Sequence, residues 1–139
     1  MKIFLDANIL VSVLNKEYPL FPFTSRNLSA HQHSQFQLFT SPLCLAIAFY
    51  FAEKKSKSLV AKQKIELLVR NINIAGISAS TVNLALENRK VHDFEDGLQY
   101  YAAIESGCTC IITEDVKDFY FSEIEVLASK EFLTKHLVK

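Results

Sequence analysis

A chain of 139 residues, half of them hydrophobic, suffices for one domain with a real core and is too apolar for extended disorder. Fifteen Lys and Arg balance fifteen Asp and Glu, so the chain does not advertise a strongly basic nucleic-acid-binding surface, although a local patch is compatible with zero net charge. Cys44, Cys108 and Cys110 lack C-x-x-C spacing and read as buried thiols of a reducing compartment; with no apolar run as long as a membrane span, the expectation is a single soluble, cytoplasmic domain over residues 1–139.

Apolar β-type runs alternate with helical patterns, which predicts an α/β architecture around a mainly parallel sheet. Lys2–Leu5 reads as the first strand, and a short helix follows from Asn8 to Asn15. Pro19 and Pro22 predict a loop through Phe23. Thr24 or Ser25 then caps a helix to about Ser34. A brief strand at Gln37–Thr40 leads to Ser41-Pro42, a cap with proline at the first helical position, and to a helix from Pro42 to about Lys55. Ser58–Arg70 is a second, amphipathic helix. The basic run Lys54, Lys55, Lys57, Lys62 and Lys64 reads as a solvated helix face, the alternative being a phosphate contact.

Ile72–Ile77 reads as a strand. Helices are predicted from Ser80 to about Asn88 and from Asp93 to about Ser106, the latter stopped by Gly107. Thr109–Thr113 is a central strand, Glu125–Ala128 a short late one, and Ser129 caps a C-terminal helix. Between Tyr18 and Ala52 the one Asp, Glu, Lys or Arg is Arg26, in a stretch rich in aromatics. That stretch is either a large contribution to the core or an apolar surface for self-association or a partner protein.

The carboxylates fall where such a fold gathers its chemistry. Asp6 ends the first strand, Asp115 follows the strand at Thr109–Thr113, and Asp93, Glu95 and Asp96 open a helix. In an open parallel sheet, strand C-termini and helix N-termini meet at one edge, where ligands bind. Acids distant in sequence can converge there, and a cluster of unpaired carboxylates is stable mainly around a hard cation. Each acid also has a structural use: Asp6 and Asp93 as helix caps, Asp96 as a first-turn acid favoured by the helix dipole, Asp115 and Asp118 in turns. Positions 93 and 96 share a helix face, which turns Glu95 away; Glu114 should point away from Asp115. Asn8 can orient a carboxylate through its amide. Gly97 either leaves space beside Asp96 or serves close helix packing.

Leu5-Asp6-Ala7-Asn8-Ile9-Leu10, Asp93-Phe94-Glu95-Asp96-Gly97-Leu98-Gln99 and Ile111-Ile112-Thr113-Glu114-Asp115-Val116-Lys117-Asp118-Phe119 together resemble, in order, spacing and total length, the PIN domain, and within it the branch that includes toxins of the VapC type. The resemblance covers essentially the whole chain. It implies a three-layer α/β/α sandwich with an acidic pocket at the strand ends, and Mg²⁺- or Mn²⁺-dependent hydrolysis of phosphodiesters, usually of RNA. Carried over by position, Asp6, Asp96 and Asp115 would be the metal-site acids. Asp93 would join them as an auxiliary catalytic acid, and Asn8 and Thr113 would be polar supports of the pocket. An RNA substrate, an antitoxin protein and a homodimer are the partners it implies.

The pattern breaks at one place. PIN nucleases usually carry a glutamate on the helix after the second strand, and counting from Ser41-Pro42-Leu43 puts that position at Ile47. Glu53, six residues on, lies ~120° around the helix and ~9 Å further along it, so it does not substitute. Two outcomes follow: a weaker or narrowly specific nuclease that uses Asp93 to fill the set, or a domain that kept the fold and pocket, lost turnover, and binds protein or RNA.

Overall fold

A computed structural model describes residues 1–137. The first apolar run, Lys2–Leu5 (β1), is fully buried from Ile3 onward, and a strand buried on both faces belongs in the middle of a parallel sheet. It pairs with Gln37–Thr40 (β2) on one side, Ile3 opposite Leu38, and with Cys110–Ile112 (β4) on the other, Phe4 opposite Ile111. Asn73–Ile74 (β3) adds outside β2, and Glu125–Leu127 (β5) outside β4. The result is five parallel strands in the order β3-β2-β1-β4-β5.

Among the described residues seven α-helices link or follow these strands: Ala7–Leu14 (α1), Phe21–Ser29 (α2), Pro42–Lys55 (α3), Ser58–Val69 (α4), Ala79–Glu87 (α5), Phe94–Glu105 (α6) and Ser129–Phe132 (α7). The chain runs outward from β1 through β2 to β3, then returns to the other side of β1. Right-handed crossovers put outgoing and returning helices on opposite faces of the sheet. The three-layer sandwich expected from the sequence results: α1 packs on α3 and α3 on α4, while α5 pairs with α6. The reversal falls between β1 and β4, the switch point at which a crevice opens beyond the strand C-termini.

Ile3, Phe4, Leu5, Ile9, Leu10, Leu38, Ile111, Ile112 and Phe132 form the fully buried centre. The three cysteines are buried and unpaired, as expected. Among the described residues no helix is long and apolar enough to cross a membrane.

Several local expectations are corrected. The helix expected to start at Thr24 or Ser25 starts at Phe21, ends at Ser29 and continues as a 3₁₀ turn over Ala30–Gln32. Pro22 lies in the first turn, where a backbone N–H has no helical acceptor to lose, so it does not bar the helix. Thr24 is a buried residue whose hydroxyl pairs with that of Ser12 at 2.8 Å. The strand expected over Ile72–Ile77 narrows to Asn73–Ile74, an edge strand with β2 as its one neighbour. The helix expected to start at Ser80 starts at Ala79 and is capped by Ser78, whose N–H donates to Thr81 Oγ1 at 3.0 Å. Ser129 opens α7 instead of capping it, and its N–H donates to Glu114 Oε1 at 2.9 Å, which turns Glu114 away from Asp115 as anticipated.

The uncharged stretch divides. Phe36, Leu38, Cys44, Ala48 and Ala52 join the core, whereas Tyr50 and Phe51 stay 48% and 44% exposed. The lysine run is not merely solvated either: Lys55 and Lys64 donate to the carbonyls of Asn15 and Leu14 that close α1, a favourable place for cations.

Candidate active site

Asp6 leaves β1 with extended backbone and caps α1, its Oδ1 accepting from the Ala7 N–H at 2.8 Å. Its own N–H continues the sheet, donating to Ile112 O at 3.0 Å. Capping and site-forming are therefore the same act: the hydrogen bond that starts α1 also fixes the carboxylate at the switch point. Oδ2 accepts from the hydroxyl of Thr113, one residue beyond β4, at 2.8 Å. Cys44, in the first turn of α3, points its thiol at Oδ1 from 3.8 Å.

Thr113 is fully buried and saturated. Besides donating to Asp6, its Oγ1 accepts from Asn8 Nδ2 and from the Asp115 N–H, each at 3.0 Å. Asn8 uses both ends of its amide: Nδ2 reaches Asp115 Oδ2 at 3.1 Å, and Oδ1 accepts from the Glu114 N–H at 3.1 Å. These bonds bind the ends of β1 and β4 into one unit and hold two carboxylates that would otherwise repel each other.

A second pair comes from α6. Asp93 caps it through Oδ1, which accepts from the Asp96 N–H at 3.1 Å. Side chains of a helix tilt toward its N-terminus, so the acids of this first turn lean over the end that faces the switch point. Asp6, Asp93, Asp96 and Asp115 consequently line one open pocket of about 520 Å³ with Asn8.

Three further acids line it, making seven carboxylates, with no lysine, arginine or histidine beside them among the described residues. Glu95 was expected to turn away and does not, because at a helix end the first-turn side chains ring the terminus instead of dividing between faces. Asp118 was expected only to shape a turn. It sits in a 3₁₀ turn over Val116–Phe119, where three residues per turn place it on the same side as Asp115; that spacing was the available signal. Glu17 follows α1, and its approach depends on how the loop after Asn15 folds back. Ile47 lines the pocket at the position expected for the missing acid, next to Phe51 one turn on, and Glu53 stays outside.

The electrostatics follow. Burial pushes the Asp6 carboxyl above the usual range, against the hydrogen bonds from Thr113 and Ala7, and Asp115 and Glu95 add to the rise. Asp96 is pushed up to about 7, by burial first and then by the charges of Asp93, Asp118, Asp6 and Glu95. Hard oxygen donors without a counter-charge suit a hard divalent cation. Among the described residues no three His, Cys, Asp or Glu side chains are grouped closely enough to hold a metal ion as they stand.

Fold and site together define the class: the chain belongs to the PIN domain family, whose sequence pattern matches residues 2–117. Among particular proteins, it is 29% identical over 135 residues to ribonuclease VapC1 of Aquifex aeolicus, covering 94% of this chain and 92% of the relative. Its fold is that of VapBC2 from Rickettsia felis, solved bound to a DNA fragment from its promoter (TM-score 0.70, 21% identity, 91% of this chain and 97% of that one). It is also that of VapBC-1 from nontypeable Haemophilus influenzae (0.69, 18%, 94% and 99%). Mycobacterium tuberculosis VapC20, a toxin that cleaves the sarcin-ricin loop, shares it too (0.66, 13%, 88% and 98%).

Proposed function

We propose that this chain is a divalent-metal-dependent endoribonuclease of the PIN type and the toxin of a toxin–antitoxin pair. The observation that carries the reading is the meeting of Asp6, Asp93, Asp96 and Asp115, from two strand ends and one helix start, on a pocket lined, among the described residues, by no cationic side chain. Asp6, Asp96 and Asp115 would hold Mg²⁺ or Mn²⁺, with Asp93 completing the acidic set. When bound, such an ion acidifies water and offsets the charge that builds on a phosphoryl group in hydrolysis. The chain's own part is positioning. Thr113 and Asn8 fix the directions of Asp6 and Asp115, Asp93 fixes the turn that presents Asp96, and Asp96 in the metal-free protein exchanges its proton near neutrality. The Aquifex relative is named a ribonuclease and the M. tuberculosis neighbour a toxin. We extend those names to an RNA substrate, an antitoxin partner, a homodimer and a cytoplasmic location here. Purified protein should cleave RNA in Mg²⁺ or Mn²⁺, stop with EDTA, and lose activity as Asp6→Asn or Asp96→Asn. Undiminished cleavage by both variants refutes the assignment.

Ile47 supports a second reading, a PIN domain that binds protein or RNA through this pocket without turnover, since an apolar side chain lines the wall where an acid is expected. An inert wild type that gains cleavage as Ile47→Glu establishes it. Turnover by the wild type at physiological Mg²⁺ rules it out.

A further inference from the structure

A second cleft of about 520 Å³ is lined by Lys90, His92, Tyr120 and Glu123 among others. It is joined to the acidic pocket through the chain. His92 precedes Asp93, and Tyr120 follows Asp118 by two residues, with buried Phe119 as the anchor between them. Along the chain, His92 and Tyr120 of this cleft thus stand within two residues of Asp93 and Asp118 of the acidic pocket.

Tyr120 is 58% exposed yet held rigidly. Its hydroxyl donates to Lys90 O at 2.5 Å and accepts from the His92 N–H at 3.2 Å. Its ring meets those of His92 and Phe121 edge-on, at 5.6 and 5.4 Å. An aromatic ring fixed at its polar end and bare over much of its surface is a prepared platform for stacking, with little conformational freedom left to lose. The other polar groups of the cleft divide in two. Asn88 and Ser122 are spent on Tyr101, Lys90 and Ile124. The Lys90 ammonium, the His92 ring and the Glu123 carboxylate make no hydrogen bond among the described residues. One cation against one carboxylate gives no net charge, and the carboxylate would repel a phosphate; donors and acceptors around an aromatic face suit a nucleobase.

We propose that this cleft binds an unpaired nucleobase of the RNA strand, stacked on Tyr120 and flanking the phosphodiester in the acidic pocket. The proposal rests on the ribonuclease reading above for the identity of its ligand. The test is the fluorescence anisotropy of a short, labelled single-stranded RNA titrated with protein carrying Asp6→Asn, so that cleavage does not intrude. Tyr120→Leu should weaken binding about five- to a hundredfold, the range of one base–aromatic stack, and Tyr120→Phe, which keeps the ring but loses the two hydrogen bonds that fix it, should lose far less. Thermal melts confirm that both variants fold, and Lys90→Gln, which leaves the backbone acceptor of Tyr120 in place, offers a second probe with a smaller loss. Annealing the complementary strand should remove the dependence on Tyr120. Equal affinity for Tyr120→Leu and its parent overturns the proposal, as does an equal loss for the Phe and Leu variants. RNA binding indifferent to Tyr120, combined with Tyr120-dependent binding of an antitoxin, makes the cleft a protein-docking site and overturns it too. Wild-type cleavage is scored separately. Cleavage with Tyr120-independent binding sinks this site and leaves the nuclease, whereas Tyr120-dependent binding in a protein that never cleaves does the reverse.

Discussion

Asp96 would be fully ionised at neutral pH on an open surface, but here burial, then Asp93, Asp118, Asp6 and Glu95, lift it to about 7. A carboxyl raised on folding from its ordinary value of 3.8 favours the folded state while it carries its proton. That contribution is complete below the unfolded value and is lost as pH rises through the folded one. The metal-free wild type should therefore lose melting temperature relative to Asp96→Asn as pH climbs from about 4 to about 7, and the variant should be the more stable of the two at mildly alkaline pH. Calorimetry in EDTA checks this, and parallel pH curves would contradict it. Cleavage should move the other way, falling about a hundredfold or more in Asp96→Asn; a site that destabilises its own fold is the expected mark of function. Thr113 belongs to the same scale. Its hydroxyl serves Asp6, Asn8 and the Asp115 N–H at once, so Thr113→Val keeps the shape and strips three bonds. Urea unfolding should show a loss of about 1–3 kcal/mol, the cost of leaving buried polar groups unpaired, and Thr113→Ser should restore most of it.

Helix α6 carries Asp96 to the pocket, and Gly97 decides how closely it can lie on α5. A Cβ at position 97 would sit 2.8 Å from Val91 Cγ1 and 3.2 Å from Ala85 Cβ, so the glycine is there for close packing, one of the two uses open from the sequence. Gly97→Ala gains about 1 kcal/mol of helix propensity and loses about 1–3 kcal/mol to overpacking. The net should be a modest loss of stability, and Val91→Ala in the same protein should reverse it; a melting temperature unchanged or raised in the single variant contradicts the packing role. Elements of this kind mark the boundary of what the sequence discloses. Asp6, Asp93, Asp96 and Asp115 were legible because strand ends and helix starts of a parallel sheet share an edge whatever the details. Glu95 and Asp118 were missed, because a helical face rule fails at a helix terminus and the three-residue spacing of Asp115 and Asp118 becomes a signal only where the turn is 3₁₀, which composition does not disclose. The early start of α2 was hidden by Pro22, which bars a helix interior but not a first turn. Glu17 depends on a loop that tertiary packing places.

Zero net charge conceals a segregated molecule. Seven carboxylates crowd one pocket without a cation among the described residues that line it, while Lys54, Lys55, Lys57, Lys62 and Lys64 gather on α3, α4 and the turn between them, where Lys55 and Lys64 close α1. The fold holds its acids together through Thr113 and Asn8 rather than through ion pairs, so part of its stability is spent against their repulsion. A ligand that neutralises the pocket binds the folded chain and not the unfolded one. It should therefore raise stability by about 2.7 kcal/mol at a hundredfold excess over its dissociation constant. Melting in Mg²⁺ or Mn²⁺ should exceed melting in EDTA. An equal ionic strength of KCl should give a smaller rise, because screening by monovalent salt relieves repulsion without coordination. The difference between the two salts should shrink in Asp6→Asn and Asp115→Asn, whose pockets hold one charge fewer. It should grow in Ile47→Glu, which adds a carboxylate to the same wall. A divalent effect no larger than that of KCl, or one unchanged across these three substitutions, would place the ion elsewhere on the molecule and remove the metal from the acidic pocket.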